Sequence, residues 1–279
     1  MIRPITQIVR GMPATDGSGV NLRRILGTED MDYLDPFLLL DEFKSDNPDD
    51  YIGGFPDHPH RGFETVTYLM HGKFKHRDSR GNEGVLTPGS VQWMTAGRGI
   101  IHSEMPEMSD GLLWGFQLWV NLPKEMKMIE PHYQNIPADR IPEVNADGSR
   151  IRIISGEYGD INGPAKTRIP VVYFDVHLVE MSTFAHPLPS EMSGFCYLYE
   201  GKAEFGPQGD TRMGREGQMM VLGDGESVRI RSGKKTARFL FLAARPLNEP
   251  IARGGPFVMN TESEVRQAFL DYGNGTFDK

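Results

Sequence analysis

The hydrophobic residues of this chain fall into short runs cut apart by turn formers, and few folds accept a sequence written that way. Phe63-Glu64-Thr65-Val66-Thr67-Tyr68-Leu69-Met70, Val91-Gln92-Trp93-Met94-Thr95 and Leu113-Trp114-Gly115-Phe116-Gln117-Leu118-Trp119-Val120 are rich in β-branched and aromatic residues, and 32 Gly and 20 Pro punctuate the chain. Such text favours an all-β sandwich or barrel over helices. Phe63–Met70, then His71-Gly72, then Lys73-Phe74-Lys75-His76-Arg77 predicts a hairpin. Residues 136–150 lack periodicity and read as a connection.

A second β block follows, from Val171-Val172-Tyr173-Phe174 to Phe239-Leu240-Phe241-Leu242. Its outline repeats the first, with a histidine-bearing loop, an apolar strand ending in Gly201, and a further strand. This predicts an internal duplication of one β-barrel unit, divided as 1–135 and 136–279. One helix is expected near the end, assigned to the second domain as a cover. Thr261-Glu262-Ser263-Glu264 fits a capping box, Val265, Phe269 and Tyr272 form an apolar stripe, and Gly273 is the stop.

The net charge of −8 with scattered basic residues argues against gripping a phosphate backbone. The densest basic run, Arg229–Lys235, reads as a strand edge and turn. The single cysteine, Cys196, forms no internal disulfide and sits in apolar text, as a core residue in a reducing compartment would. With no membrane-length apolar run and no basic-then-apolar start, the expectation is a cytoplasmic protein that works without membrane or direct nucleic-acid contact, as a monomer.

The chemistry concentrates in Gly54-Phe55-Pro56-Asp57-His58-Pro59-His60-Arg61-Gly62 and Ile101-His102-Ser103-Glu104. In a strand, residues two apart point to one face. His58 with His60, facing His102 with Glu104, would offer three neutral nitrogens and one carboxylate to one divalent metal. That donor set suits iron, manganese, nickel, copper or zinc. His71, His76, His132 and His177 read as surface or satisfied core residues. Phe55, Phe63, Trp93 and Met94 are apolar neighbours that either wall a pocket or fill the core.

Gly54-x3-His58-x-His60-x3-Glu64 and Gly97-x-Gly99-x2-His102 resemble the two cupin motifs in their pirin variant. The resemblance to the pirin family continues through Asp35-Pro36-Phe37, Leu40-Asp41-Glu42-Phe43, Gln92–Gly99, His102–Pro106 and Gly254–Thr261. It implies a bicupin, with metal only in the N-terminal half, held by His58, His60, His102 and Glu104. Glu64 then becomes a residue that orients a ligating histidine. The second half keeps only His186 of its first motif and has Val228 where the second motif places histidine, so metal is not expected there.

The resemblance also implies an activity: quercetin 2,3-dioxygenase-type cleavage of a flavonol with O2, using one divalent transition metal, Fe2+ first and Mn, Ni, Co, Cu or Zn as alternatives. Glu104 would be both ligand and catalytic base. The alternative function is a metal-binding, redox-sensitive regulator acting through a protein partner.

Overall fold

The computed structural model describes residues 1–278. The chain is mostly β, its sheets antiparallel, with the jelly-roll arrangement of two cupins. In chain order the first strands are β1 (Ile5–Arg10), β2 (Met12–Asp16), β3 (Val20–Leu26), β4 (Phe37–Ser45), β5 (Phe55–His60), β6 (Phe63–His71), β7 (Phe74–Asp78), β8 (Glu83–Leu86), β9 (Val91–Thr95), β10 (Ile100–Pro106), β11 (Leu113–Asn121) and β12 (His132–Ile136). The expected barrels are not closed by hydrogen bonds. Strands split between sheets instead.

Two compact units emerge, and neither is one continuous segment. One comprises Met1–Met12, Thr28–Asp35 and Asp139–Pro246; the other comprises Pro13–Gly27, Pro36–Ala138 and the chain from Leu247 onward. This differs from a division at 135/136 at both termini. In the second of these units, one sheet runs β12-β9-β6-β11-β4-β3-β2 and another β5-β10-β7-β8. In the first unit the path is β1, Gln218–Leu222, Ser193–Phe205, Ser227–Ala244, Val171–Leu178, Ser149–Ser155 and Glu143–Ala146.

The two paths correspond strand for strand, so the duplication is visible in topology. At one edge they exchange. β12 leads the second repeat in sequence yet pairs with β9 of the first, whereas β1 leads the first repeat and pairs with Gln218–Leu222 of the second.

The expected hairpin does not form. β6 pairs with β9 and β11, while β7 pairs with β10 and β8. The chain changes sheet at Gly72, whose φ of +91° suits glycine and where a Cβ would lie 2.7 Å from Met108 Sδ. A tight-turn signal marks a reversal, and only the non-local partners decide which sheet the next strand joins.

Helix α1 (Glu262–Gly273) starts as expected, with Thr261 and Glu264 closing a capping box. Its buried residues are Val265 and Ala268, while Phe269 is 50% exposed, so the apolar stripe is narrower than expected. By its contacts it clusters with the unit of Pro36–Ala138. Cys196 is buried, and burial raises its thiol pKa. No helix of the described residues is long and apolar enough to cross a membrane.

Candidate metal centre

Two prolines decide where the metal motif lies. Pro56 and Pro59 lack N–H donors, and β5 takes the edge of its sheet, where missing donors cost little. His58 and His60 alternate onto one face of this edge. Across the ladder His58 stands opposite His102 of β10, and Glu104 stands opposite Phe55. Two steps along β10 thus match three along β5, a bulge of the kind that re-aims side chains near functional sites.

The structure brings His58, His60 and His102 together, with ligand-capable atoms all within 4.8 Å of one another. Ring centroids lie 4.7 Å (His58–His60), 4.4 Å (His58–His102) and 5.0 Å (His60–His102) apart. Nδ1 of His58 lies 2.7 Å from the Pro56 carbonyl, so it must donate there and leave the lone pair on Nε2. Nδ1 of His60 and both nitrogens of His102 are buried without a hydrogen-bond partner among the described residues. Burial, with the neighbouring histidines adding, pushes both rings well below the ordinary imidazole pKa. Orphaned, neutral, convergent nitrogens are what a divalent cation requires. The residues fit a metal.

Glu104 lies outside this three-histidine group but lines the same cavity as His58 and His60. It is buried. Its Oε1 lies 2.7 Å from Thr67 Oγ1, Thr67 Oγ1 lies 2.6 Å from Gln117 Oε1, and Gln117 Nε2 lies 3.5 Å from Glu104 Oε2. The Thr67 hydroxyl has one hydrogen for two acceptor oxygens. Either Glu104 carries a proton, or the Gln117 amide is turned to present its nitrogen. Burial raises the Glu104 pKa, against the Thr67 hydrogen bond and His58. Sequence reasoning missed Thr67 and Gln117, because cross-strand register alone brings them together.

The cavity holds about 540 Å³, with Phe55, Phe74, Leu39 and Trp119 among its apolar walls. Of the four residues weighed for this role, Phe55 lines it, while Phe63, Trp93 and Met94 are fully buried core. Glu64, also fully buried, accepts a hydrogen bond from Thr95 at 2.7 Å.

Behind His60, the Arg61 guanidinium donates to Asp271 Oδ2 at 2.6 Å and to the Phe277 carbonyl at 3.2 Å, and Nε donates to the Arg98 carbonyl. Gly62 follows at φ +89°, where a Cβ would meet the Val258 carbonyl at 2.0 Å. Lys127 reaches the Gly62 carbonyl at 2.8 Å. The chain's last segment thus braces the ligand loop.

His76 is buried, stands opposite Glu104 on β7 and stacks on Tyr133 at 4.5 Å. Its alternation in Lys73–Arg77 carried that signal. Burial lowers its pKa from 6.5 to about 4. The folded pKa lies below the unfolded one, so the unfolded chain takes the proton first as pH falls. Stability is therefore complete above 6.5 and is lost progressively toward 4. Chelated protein should melt at steadily lower temperature between pH 7 and pH 5 in scanning calorimetry; a flat profile would contradict the burial argument.

The sequence matches the family model described as Pirin over residues 19–120, and that described as Pirin C-terminal cupin domain over 173–278. A pirin-like protein of Caulobacter vibrioides is 46% identical over 99% of both chains. Human pirin is 42% identical over 98% of this chain and 93% of its own. A crystal structure of quercetin 2,3-dioxygenase from Acinetobacter baumannii is 34% identical, covers 99% of both chains and superposes with a TM-score of 0.91.

Proposed function

The chain belongs to the pirin family, and from that premise we propose that it is a metal-dependent dioxygenase that cleaves a flavonol such as quercetin. One observation carries the proposal: three histidines with convergent nitrogens, two of them buried, and a buried carboxylate meet beside a cavity with aromatic walls. The Acinetobacter relative, similar over its whole length, supports the same substrate class.

His58, His60 and His102 would hold the ion, with Glu104 as fourth ligand. A divalent ion there supplies Lewis acidity and, when ferrous, access to O2 chemistry. The rest follows from the chain's own groups. Phe55, Phe74 and Trp119 offer faces to a flat polyphenol and exclude water. Glu104 accepts the proton of the flavonol 3-hydroxyl, a transfer its burial-raised pKa favours. Thr67 and Gln117 keep its carboxyl group oriented as it changes charge. In the balanced reaction both atoms of O2 enter the ring-opened ester and one ring carbon leaves as carbon monoxide.

Glu104→Gln retains the shape of the side chain and removes the base. Its turnover of quercetin, followed by oxygen electrode on metal-loaded protein, should fall by roughly 10²–10⁴-fold. Unchanged turnover would remove Glu104 from the mechanism. Failure of metal-loaded wild type to consume O2 with any flavonol would remove the activity itself.

A further inference from the structure

The second cupin keeps a cavity of its own, of about 810 Å³. His186 occupies the place that His58 holds in the first: it stands in register opposite Val228, as His58 stands opposite His102. Val228 is 1% exposed and brings no donor. Among the described residues, only His58, His60 and His102 form a metal-like cluster. The second cavity has therefore lost the metal chemistry while keeping the hollow and one imidazole.

That imidazole is deliberately held. His186 stacks on Tyr158 at 5.6 Å and 14°, and meets the edges of Phe174 at 5.2 Å and Phe241 at 5.8 Å. It is 8% exposed, lines the cavity, and makes no hydrogen bond to protein among the described residues. Burial lowers its pKa to about 4, so at neutral pH it offers one donor and one acceptor. Its nitrogens are not sealed off as those of His102 are, so a molecule in the cavity can pair with them.

The walls define the ligand's chemistry. Tyr158, Val171, Val172, Leu188 and Met192 are apolar or aromatic. Among the described residues no Lys or Arg lines the cavity, and Glu157 stands among its residues, so phosphates and carboxylates are disfavoured. We propose that this cavity is a metal-independent binding site for a small, flat, uncharged aromatic molecule bearing a hydroxyl group, which pairs with His186. Pockets of this kind combine apolar walls with few polar anchors.

The test uses 2-naphthol as probe and the full chain, by titration calorimetry. Saturable binding with Kd below about 1 mM is expected, unchanged by chelation of metal. Ala185→Trp places an indole at the exposed wall and should weaken binding at least about tenfold. His186→Phe keeps the aromatic packing and should weaken it about three- to tenfold, the worth of one hydrogen bond. 2-Methylnaphthalene, which has neither donor nor acceptor, should bind wild type and His186→Phe alike. Absence of saturable binding, loss on chelation, or indifference to His186→Phe would each overturn the site. Should Ala185→Trp fail to fold, the His186→Phe comparison decides alone.

Discussion

Metal-loaded His102→Ala should emerge from desalting with little metal, and its oxygen uptake with quercetin should fall in step. Losing a residue that merely orients a ligand costs about 10–100-fold in metal affinity, so losing a ligand costs more. The replacement breaks no side-chain hydrogen bond, because neither nitrogen of His102 has a partner among the described residues. The metal-free variant should therefore stay folded, and the decisive comparison is the metal-induced rise in melting temperature. Wild type gains about 2.7 kcal/mol of stability at a hundredfold excess of metal over Kd; His102→Ala should gain almost nothing. A variant with full metal content and full turnover would show that His102 is a core residue.

The largest effect on stability is expected from Lys127→Met. Lys127 is 1% exposed, and its ammonium donates to the Gly62 carbonyl at 2.8 Å, Asn121 Oδ1 at 2.6 Å and the Val258 carbonyl at 2.9 Å. Three donors meet three acceptors from three segments. Burial lowers its pKa to about 8, so the group is still charged at pH 7. Methionine fills the space but leaves buried oxygens without donors, each worth about 1–3 kcal/mol. Urea unfolding at pH 7 should show this loss in the transition midpoint. Because Gly62 lies two residues from His60, metal affinity should decline as well. A midpoint within experimental error of wild type would mean that the three segments hold together without the lysine.

Local chemistry made part of this molecule legible in its sequence. Short β-branched runs between glycines gave strands, Thr261 and Glu264 gave the helix start, and the His58/His60 alternation gave a shared face. Register hid the rest. Whether Gly72 ends a hairpin or turns a corner depends on β9 and β11, far along the chain. Thr67 and Gln117 look like ordinary strand residues until pairing sets them against Glu104. Phe63, Trp93 and Phe55 share one hydrophobicity, and only the cavity separates wall from core. The division of units was hidden for the same reason: nothing local in Ile5–Arg10 shows that its partner is Gln218–Leu222.

The exchanged leading strands have a consequence for how the molecule is made. Synthesis delivers β1 long before its partner, Gln218–Leu222. The unit carrying the three histidines has them all by residue 102, but Val258, Asp271 and Phe277, which brace the loop behind His60, follow more than 150 residues later. Folding of this kind, rich in distant pairings, is intrinsically slow. A folding chain holds His58, His60 and His102 before the segment that braces them is in place, so that site becomes rigid only once Val258, Asp271 and Phe277 have docked.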